Sequence, residues 1–470
     1  MVPERLAAVL AELAPVAERF EAADHRLYLV GGIVRDLLLG RPVREGDDFD
    51  LTTDARPDEI EAIVGPIASS VWLQGKRFGT VGAMVDGREL EITTHRAEAY
   101  RPDSRKPDVR FADAVDADLA RRDFTVNAMA LRLSPDTTAE AVQLIDPFDG
   151  AADLAAGRLR TPLHPETSFT DDPLRMLRAA RFLAGYGLRP DDDLIAAVRA
   201  LHDRLEIVSA ERIRDELDRL VVVDKPGAGL WFLVDTGLAG EFLPELPALA
   251  VAQDPGHRHK DVLAHTIAVV ERAPADRLLR LAALFHDVGK PKTRSFEPGG
   301  KVTFHHHEVV GARMTRERMT ALRYPAADIE QVSRLVELHL RFHGYDEGEG
   351  GWTDSAVRRY ARDAGPLLDR LNDLTRADCT TRNRRKAAEL ADRMDRLQAR
   401  IEALRQSEAL EALRPDLDGN EVMRHLGLPP GPMVGQALAF LKELRIEEGP
   451  LGAEEARRRL DAWWAERAGA

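Results

Sequence analysis

The sequence predicts an α/β head followed by a long, all-helical body. Short β-rich segments bounded by glycine or charged residues fill the first third. From about residue 171 onward, apolar residues recur at spacings of three and four. Pro- and Gly-rich breaks at 147–150, 244–255 and 344–351 divide the chain. Its 470 residues leave room for roughly two to four domains, each with a core of its own.

Taken in order, residues 1–20 alternate apolar residues with Glu4, Arg5, Glu12, Glu18 and Arg19 at helical spacing. That is an amphipathic helix, without the unbroken apolar stretch of a signal peptide. Strands are expected over 27–30, 49–52, 81–85 and 90–93, with helices over 34–39 and 57–67 between them. A buried strand is expected over 126–131. The body should carry helices over 174–183, 194–205, 213–222, 278–285 and 329–340. A composition of 44% hydrophobic and 31% charged residues excludes a disordered chain. No run approaches the roughly 18 apolar residues of a membrane span. One cysteine, Cys379, excludes an internal disulfide and points to a reducing cytoplasm. The net charge of −14 argues against a protein that coats nucleic acid by charge alone, yet leaves room for a local basic face.

Residues 28–36 read as strand, tight turn and helix start, with Gly31 and Gly32 in the turn. Glycines let a backbone approach a phosphate, and a helix N-terminus offers N–H groups to an anion. By itself such a pair is usually only a turn. Asp48-Phe49-Asp50 opens the next strand, where residues i and i+2 share a face. Two carboxylates side by side repel unless a cation sits between them, which suits Mg²⁺ held by oxygen ligands. A lone Asp-x-Asp is ordinarily a solvated turn; the glycine pair upstream favours the metal.

These residues carry a resemblance. Residues 29–40, with Gly31, Gly32, Arg35 and Asp36, followed by Asp48-Phe49-Asp50-Leu51, resemble the signature of class II tRNA nucleotidyltransferases. That family comprises the CCA-adding enzymes and their poly(A) polymerase relatives. Arg121-Arg122-Asp123-Phe124-Thr125-Val126-Asn127 resembles the family's second motif, and residues 146–150 its hinge motif. Residues 171–182 are similar to its nucleobase-reading helix, and residues 211–217 to the motif that follows. Where the family usually has Glu, Asp171 stands here, one methylene shorter with the same charge.

The resemblance implies a polymerase-β-like head, a mixed sheet flanked by helices, followed by an all-α neck. It implies template-independent addition of CCA to the 3′ end of tRNA from CTP and ATP, with release of pyrophosphate. Asp48 and Asp50 would be catalytic and hold Mg²⁺; Gly32 by backbone N–H and Arg35 by guanidinium would meet the triphosphate. Arg122 and Asp123 would lie near the phosphates and ribose, with Asn127 close by. Asp172 and Arg175 would read the base, supported by Arg178 and Arg181. Their spacing of three otherwise reads as a solvated ion-pair stripe. Glu91 is either a third carboxylate of the site or a plain surface residue. Residues 95–107 resemble the flexible loop of full CCA enzymes, which favours complete CCA addition.

A second constellation follows an apolar helix: His286-Asp287, with His265, His307, His339 and Asp378. It resembles an HD phosphohydrolase domain, with His265, His286, Asp287 and Asp378 as metal ligands and His307 and His339 as phosphate or additional metal contacts. Imidazole with carboxylate suits a transition metal such as Mn²⁺ or Ni²⁺ better than Mg²⁺. Further on, Arg382, Arg384, Arg385 and Lys386 open a long amphipathic helix, either as a solvated face or as a contact for tRNA phosphates. The expected division is a nucleotidyltransferase head over 1–155, a helical neck over 156–250, an HD domain over 251–385 and a helical, tRNA-binding tail over 386–470. The partners are the acceptor end and body of tRNA, CTP and ATP. The rival activities are poly(A) synthesis and metal-dependent phosphohydrolysis, including hydrolysis of cyclic phosphodiesters.

Overall fold

The computed structural model describes residues 3–44, 46–101, 104–250, 261–296, 302–345, 351–379, 384–411 and 416–468. Contacts divide the chain into two compact units, Met1–Ala250 with Arg318–Tyr324, and Val251–Glu317 with Pro325–Ala470.

In the first unit, helix α1 (Pro3–Ala22) leads into β1 (Leu27–Val30), α2 (Gly32–Leu38), β2 (Phe49–Thr53) and α3 (Pro57–Val64). Strands β3 (Ser70–Trp72), β4 (Thr80–Val85) and β5 (Arg88–Thr94) follow, then a hairpin of β6 (Arg96–Arg101) and β7 (Ser104–Phe111). Helix α4 (Val115–Ala120) precedes β8 (Ala130–Leu133) and β9 (Leu144–Ile145). Seven strands form one mixed sheet in the order β3-β4-β5-β2-β1-β8-β9. Only β2 and β5 run parallel.

The reason for the central strands is burial on both faces. Leu27 and Leu29 of β1 pack with Leu6, Leu13 and Phe20 of α1, while Tyr28 and Val30 pack with Leu119 of α4. A strand covered on both sides reads as an unbroken apolar run, which is how β1 shows in the sequence. β2 differs. Phe49 and Leu51 enter the α1-side core, and the alternation of the strand puts Asp50 on the opposite face. There its register partner on β5 is Glu91.

One expected strand is corrected here. The strand expected over 126–131 begins only at Ala130, because Thr125–Asn127 form a 3₁₀ turn. The Asn127 amide donates to Asp123 at 2.9 Å and its oxygen accepts from Arg35 at 2.6 Å, ties that hold the backbone in a turn. The segment read as a flexible loop over 95–107 lies largely within the β6–β7 hairpin.

Helix α5 (Gly150–Ala156) starts against that 3₁₀ turn. Strands β10 (Arg158–Leu159) and β11 (Arg189–Pro190) pair in parallel around helices α6 (Pro165–Asp171) and α7 (Leu174–Tyr186). Helices α8 (Asp192–Leu201), α9 (Ala210–Val221), α10 (Gly227–Asp235) and α11 (Leu238–Phe242) complete the unit's body. Asp172 does not share the helix of Arg175. It precedes Pro173, whose ring disfavours a helical residue before it, and it is extended at φ −138°, ψ 98°.

The second unit is built around α13 (Arg277–Phe285), which follows α12 (Val262–Arg272). Residues 278–285 are buried without exception, the mark of a helix enclosed by others. After α14 (Lys290–Thr293) come the hairpin strands β12 (Arg294–Phe296) and β13 (Val302–Phe304) and helix α15 (His307–Ala321). Helices α16 (Ala326–Leu338), α17 (Asp354–Ala364), α18 (Leu368–Asp378) and α19 (Arg384–Glu411) follow. Helices α20 (Gly419–Leu426), α21 (Pro432–Glu448) and α22 (Ala453–Ala468) enclose a small core of their own that includes Leu417, Val422, Leu460 and Trp463. No helix among the described residues is long and apolar enough to cross a membrane.

Gly150 joins α5 to the turn that carries Asn127. A Cβ there would sit 2.1 Å from the carbonyl oxygen of Thr125, so Gly150→Ala must displace backbone. Chemical denaturation of the variant should show a loss of about 1–3 kcal/mol in unfolding free energy; an unchanged midpoint would contradict the contact.

Candidate functional site

The first cluster lies on the face of the sheet opposite α1. Asp48 precedes β2, Asp50 lies on it, and Glu91 stands beside Asp50 on the parallel strand β5. Burial pushes the Asp50 carboxyl up; Arg122 pulls it down, and Asp48 adds to the rise. Glu91 is pushed up by burial and then by Asp50 and Asp48. Carboxylates that resist one another's ionisation, with oxygen as the sole donor type, fit a hard divalent cation. The glycine turn comes close to them. Gly31 has φ +80°, and a Cβ on it would lie 2.9 Å from Arg122 Nη1 and 3.2 Å from Asp50 Oδ2.

A cleft of about 300 Å³ opens beside the carboxylates, and Arg121, Arg122, Asp123, Arg175 and Arg178 are among its lining residues. Buried acids hold Arg121, Arg122 and Arg178. Asp123, 7% exposed, accepts from Arg178 Nε at 2.8 Å and from Asn127 Nδ2 at 2.9 Å. Burial alone would raise this carboxyl, but the Arg178 charge and the Asn127 hydrogen bond hold it well below the usual range. Glu216 of α9, also buried, pairs with Arg181 at 2.8 Å and lies 3.6 Å from Arg178. Asp118 of α4 is fully buried and accepts from Arg121 Nη2 at 2.7 Å.

The expected base readers are placed differently from each other. Arg212 of α9 grips Asp172 with Nη2 at 2.9 Å, and both line the cleft. Arg175 is buried, with Nη1 donating to Ser168 Oγ at 2.8 Å and Nη2 to the carbonyl oxygen of Arg121. Arg35, expected on the triphosphate, is instead directed into the body of the unit. It is 5% exposed, bonds Asn127 and Asp36, and lies 4.1 Å over the ring of Tyr186. Gly32 is packed against that same guanidinium. The sequence reading left Asp118, Glu216, Arg212 and Ser168 without roles. Arg212 and Glu216 fall inside the 211–217 motif, so the signal for those two was present; Asp118 and Ser168 carry none.

The second cluster lies at the C-terminal end of α13. His265 Nε2 is 2.9 Å from Asp378 and 3.6 Å from Asp287; His286 Nε2 is 3.3 Å from Asp287 and 3.7 Å from Asp378. His307 Nε2 lies 3.4 Å from the other oxygen of Asp287, and the His339 ring is 5.3 Å from that of His286. The Nδ1 atoms of His286, His307 and His339 each lie 2.7–2.8 Å from a main-chain carbonyl oxygen three residues earlier. That bond puts a proton on Nδ1 and leaves Nε2 as the nitrogen that can serve as a ligand once the ring is neutral. His307 Nε2 is buried without a hydrogen-bond partner. Burial would lower His286, but Asp287 and Asp378 outweigh it and the ring is pushed up to about 8. Burial and His286 push His339 down to about 3. Two sets, His265–His286–Asp287 and Asp287–His307–His339, bring donor atoms within 4.8 Å of one another, close enough to hold a metal ion.

Of the basic cluster, Arg385 lies in the first turn of α19 in an exposed pair with Glu389 at 2.9 Å, and Lys386 follows it on the helix. Arg382 and the side chain of Arg384 lie outside the described residues.

Comparison with known proteins identifies domains and relatives. Residues 27–160 match the poly A polymerase head domain, 187–249 the probable RNA and SrmB-binding site of polymerase A, and 262–400 the HD domain. The chain is 34% identical over 456 residues to the A-adding tRNA nucleotidyltransferase of Deinococcus radiodurans, covering 93% of this chain and 95% of that protein. It is 33% identical over 452 residues to the CC-adding tRNA nucleotidyltransferase of Thermus thermophilus, covering 93% of each. Its fold aligns with the crystal structure of the Bacillus stearothermophilus CCA-adding enzyme in complex with CTP at a TM-score of 0.64, with 23% identity over 98% of each chain.

The Asp123 pairing sets a pH dependence. Its carboxyl lies below 3.8 in the folded chain and near 3.8 when unfolded, so the unfolded state binds the proton more readily. The stability it contributes is present above the unfolded value and is lost as pH falls. Denaturation midpoints measured between about pH 5 and pH 3 should fall less steeply for Asp123→Asn than for the native chain. Equal slopes would contradict the pairing.

Proposed function

The chain belongs to the tRNA nucleotidyltransferase family, and from that membership we propose that it adds CCA to the 3′ end of tRNA, taking CTP and ATP and releasing pyrophosphate. The observation that carries this is Asp50 beside Glu91 at an arginine-lined cleft, with Asp48 just before the strand of Asp50. Nucleotidyl transfer asks for charge neutralisation and an in-line hydroxyl more than for a protein nucleophile. Mg²⁺ held by Asp48 and Asp50 would supply a lowered hydroxyl pKa and a counter-charge for the triphosphate. Arg122, at the Gly31 turn, meets the phosphates, and Asp123 sets the arginines around the ribose. Asp172 and Arg175 read the base edge, Asp172 in the orientation Arg212 imposes. Arg178 and Arg181, pinned by Asp123 and Glu216, keep α7 in place. Arg35 acts through Asn127 and the Tyr186 ring, fastening α2 to α7.

The reading divides the chain into a head over 1–155, a neck over 156–250, an HD domain over 251–385 and a tail over 386–470, in a cytoplasmic protein. Arg385 and Lys386 are offered to the tRNA body. The β6–β7 hairpin occupies the segment whose presence favours complete CCA addition over CC addition alone.

Extension of tRNA lacking CCA tests this directly. The expected product stops after C, C and A. A long A tail would identify a poly(A) polymerase, and refusal of CTP or of ATP would identify an enzyme that adds only A or only CC. Asp48→Asn and Asp50→Asn should each lower incorporation by about a thousandfold or more.

The convergence of imidazole Nε2 atoms on Asp287 and Asp378 supports a second activity, metal-dependent hydrolysis of phosphoesters. The nitrogen and oxygen donor set suits Mn²⁺ or Ni²⁺. Binding of either metal, measured by equilibrium dialysis, should be lost in Asp287→Ala. Hydrolysis of 2′,3′-cyclic nucleotides should survive in Asp48→Ala/Asp50→Ala. Metal uptake without any hydrolysis would reduce the cluster to a structural site.

A further inference from the structure

We propose that Asp118, a residue with no direct place at the reacting atoms, is a positioning residue that sets nucleotide selection by fixing the 121–123 segment. This rests on the nucleotide-adding function above. Asp118 sits on α4 behind the cleft, with a side chain fully removed from solvent. An ionised carboxylate there is tolerated only when donors surround it. Burial would raise its pKa, but Arg121 and then Arg122 hold it below the usual range, so it is a charged partner.

Its donors define what it does. Arg121 donates to Asp118 Oδ1 through Nε at 3.0 Å and Nη2 at 2.7 Å, and Arg122 Nη2 lies 3.4 Å from Oδ2. The main-chain N–H of Arg96, at the root of the β6–β7 hairpin, donates to Oδ1 at 3.4 Å. A single carboxylate therefore anchors the hairpin root and two cleft arginines.

The link to the base runs through the backbone. Clamping the Arg121 side chain fixes the Arg121 carbonyl, and that oxygen accepts from Nη2 of Arg175. Ser168 Oγ holds Nη1 of the same guanidinium at 2.8 Å. A guanidinium is a planar fork, so two fixed N–H groups determine the direction of its other donors. Arg175 therefore aims where Ser168 and the Asp118-clamped segment point it. On the phosphate side, Arg122 stands between Asp118 and Asp50. Arg122 also acts on the Asp50 carboxyl, so removing the Asp118 charge shifts it toward Asp50, in competition with the cation and the triphosphate.

A buried acid that only stabilised the fold would change the melting temperature and leave nucleotide choice alone. A positioning acid changes both the affinity for nucleotide and the discrimination. The test uses the full chain and the first nucleotide that the wild type adds, CTP on tRNA lacking CCA or ATP on tRNA ending in CC. Steady-state kcat/KM is compared with that for UTP, alongside the thermal melting curve. For Asp118→Asn, folded as judged by its melting curve, KM for the cognate nucleotide should rise about tenfold and discrimination against UTP should fall about tenfold. Ser168→Ala leaves the Asp118 clamp whole and frees the other end of Arg175. Its discrimination should fall about fivefold while KM changes less than about twofold.

Wild-type discrimination in folded Asp118→Asn overturns the proposal. Should Asp118→Asn fail to fold, Ser168→Ala decides: wild-type discrimination there overturns it too. A wild-type chain that incorporates no nucleotide refutes the proposed function itself, and this inference with it.

Discussion

Buried carboxylates held by guanidiniums are the interaction on which the first unit's site depends. Asp118, Asp123 and Glu216 are all under a tenth exposed, and each is paired with arginine. Left alone, any of them would cost several kcal/mol of desolvation. Paired, they impose geometry, because a forked guanidinium satisfies a carboxylate only in a few orientations. The arginines of α7 are long and flexible, and on an open helix face they would sample many rotamers. Fastened at their tips, Arg175 and Arg178 line the cleft in fixed orientations, and the cost of ordering them falls in folding instead of in nucleotide binding.

The two clusters use opposite electrostatics for related ends. Around Asp50, burial first and the neighbouring carboxylates second push the carboxyl pKa values up, with Arg122 opposing the rise at Asp50; the demand is for further positive charge. Around Asp287 the carboxylate is already surrounded by imidazole and by Lys290 at 2.7 Å, and it is held well below its usual range. An oxygen-only trio and a mixed nitrogen–oxygen set select different metals by ligand hardness. The net charge of −14 therefore says little about the cleft, where arginine dominates the lining. The acidic surplus lies outside that cleft and disfavours polyanions bound elsewhere.

Much of this was legible in the sequence because the controlling residues are local. The apolar run 27–30 becomes β1, the period-three and period-four stretches become α7, α9, α13 and α16, and Asp50 falls on β2 beside Glu91, with Asp48 just before the strand. The doublet His286-Asp287 ends a helix whose own composition announces its burial. What was misplaced involved long-range partners. Asp172 was read as part of the helical stripe, although Pro173 beside it was the local sign of a break. The turn at 125–127 stands in place of a strand because Asp123 and Arg35, the latter 92 positions away from Asn127, hold the two ends of its side-chain amide. Arg35 itself has a sequence signature suited to a phosphate, and only the ring of Tyr186 shows why it turns inward.

The sequence by itself determined the α/β head ahead of a helical body, the oxygen-rich strand, the imidazole-rich helix end and the family, because those depend on residue type and on spacing along a chain. Tertiary structure decided which acid holds which arginine. Asp118, Glu216, Arg212 and Ser168 are ordinary residues until α4, α6, α7 and α9 bring them within hydrogen-bond distance. A buried ion pair is selected by desolvation and geometry together, and both are properties of the packed chain rather than of any segment of it.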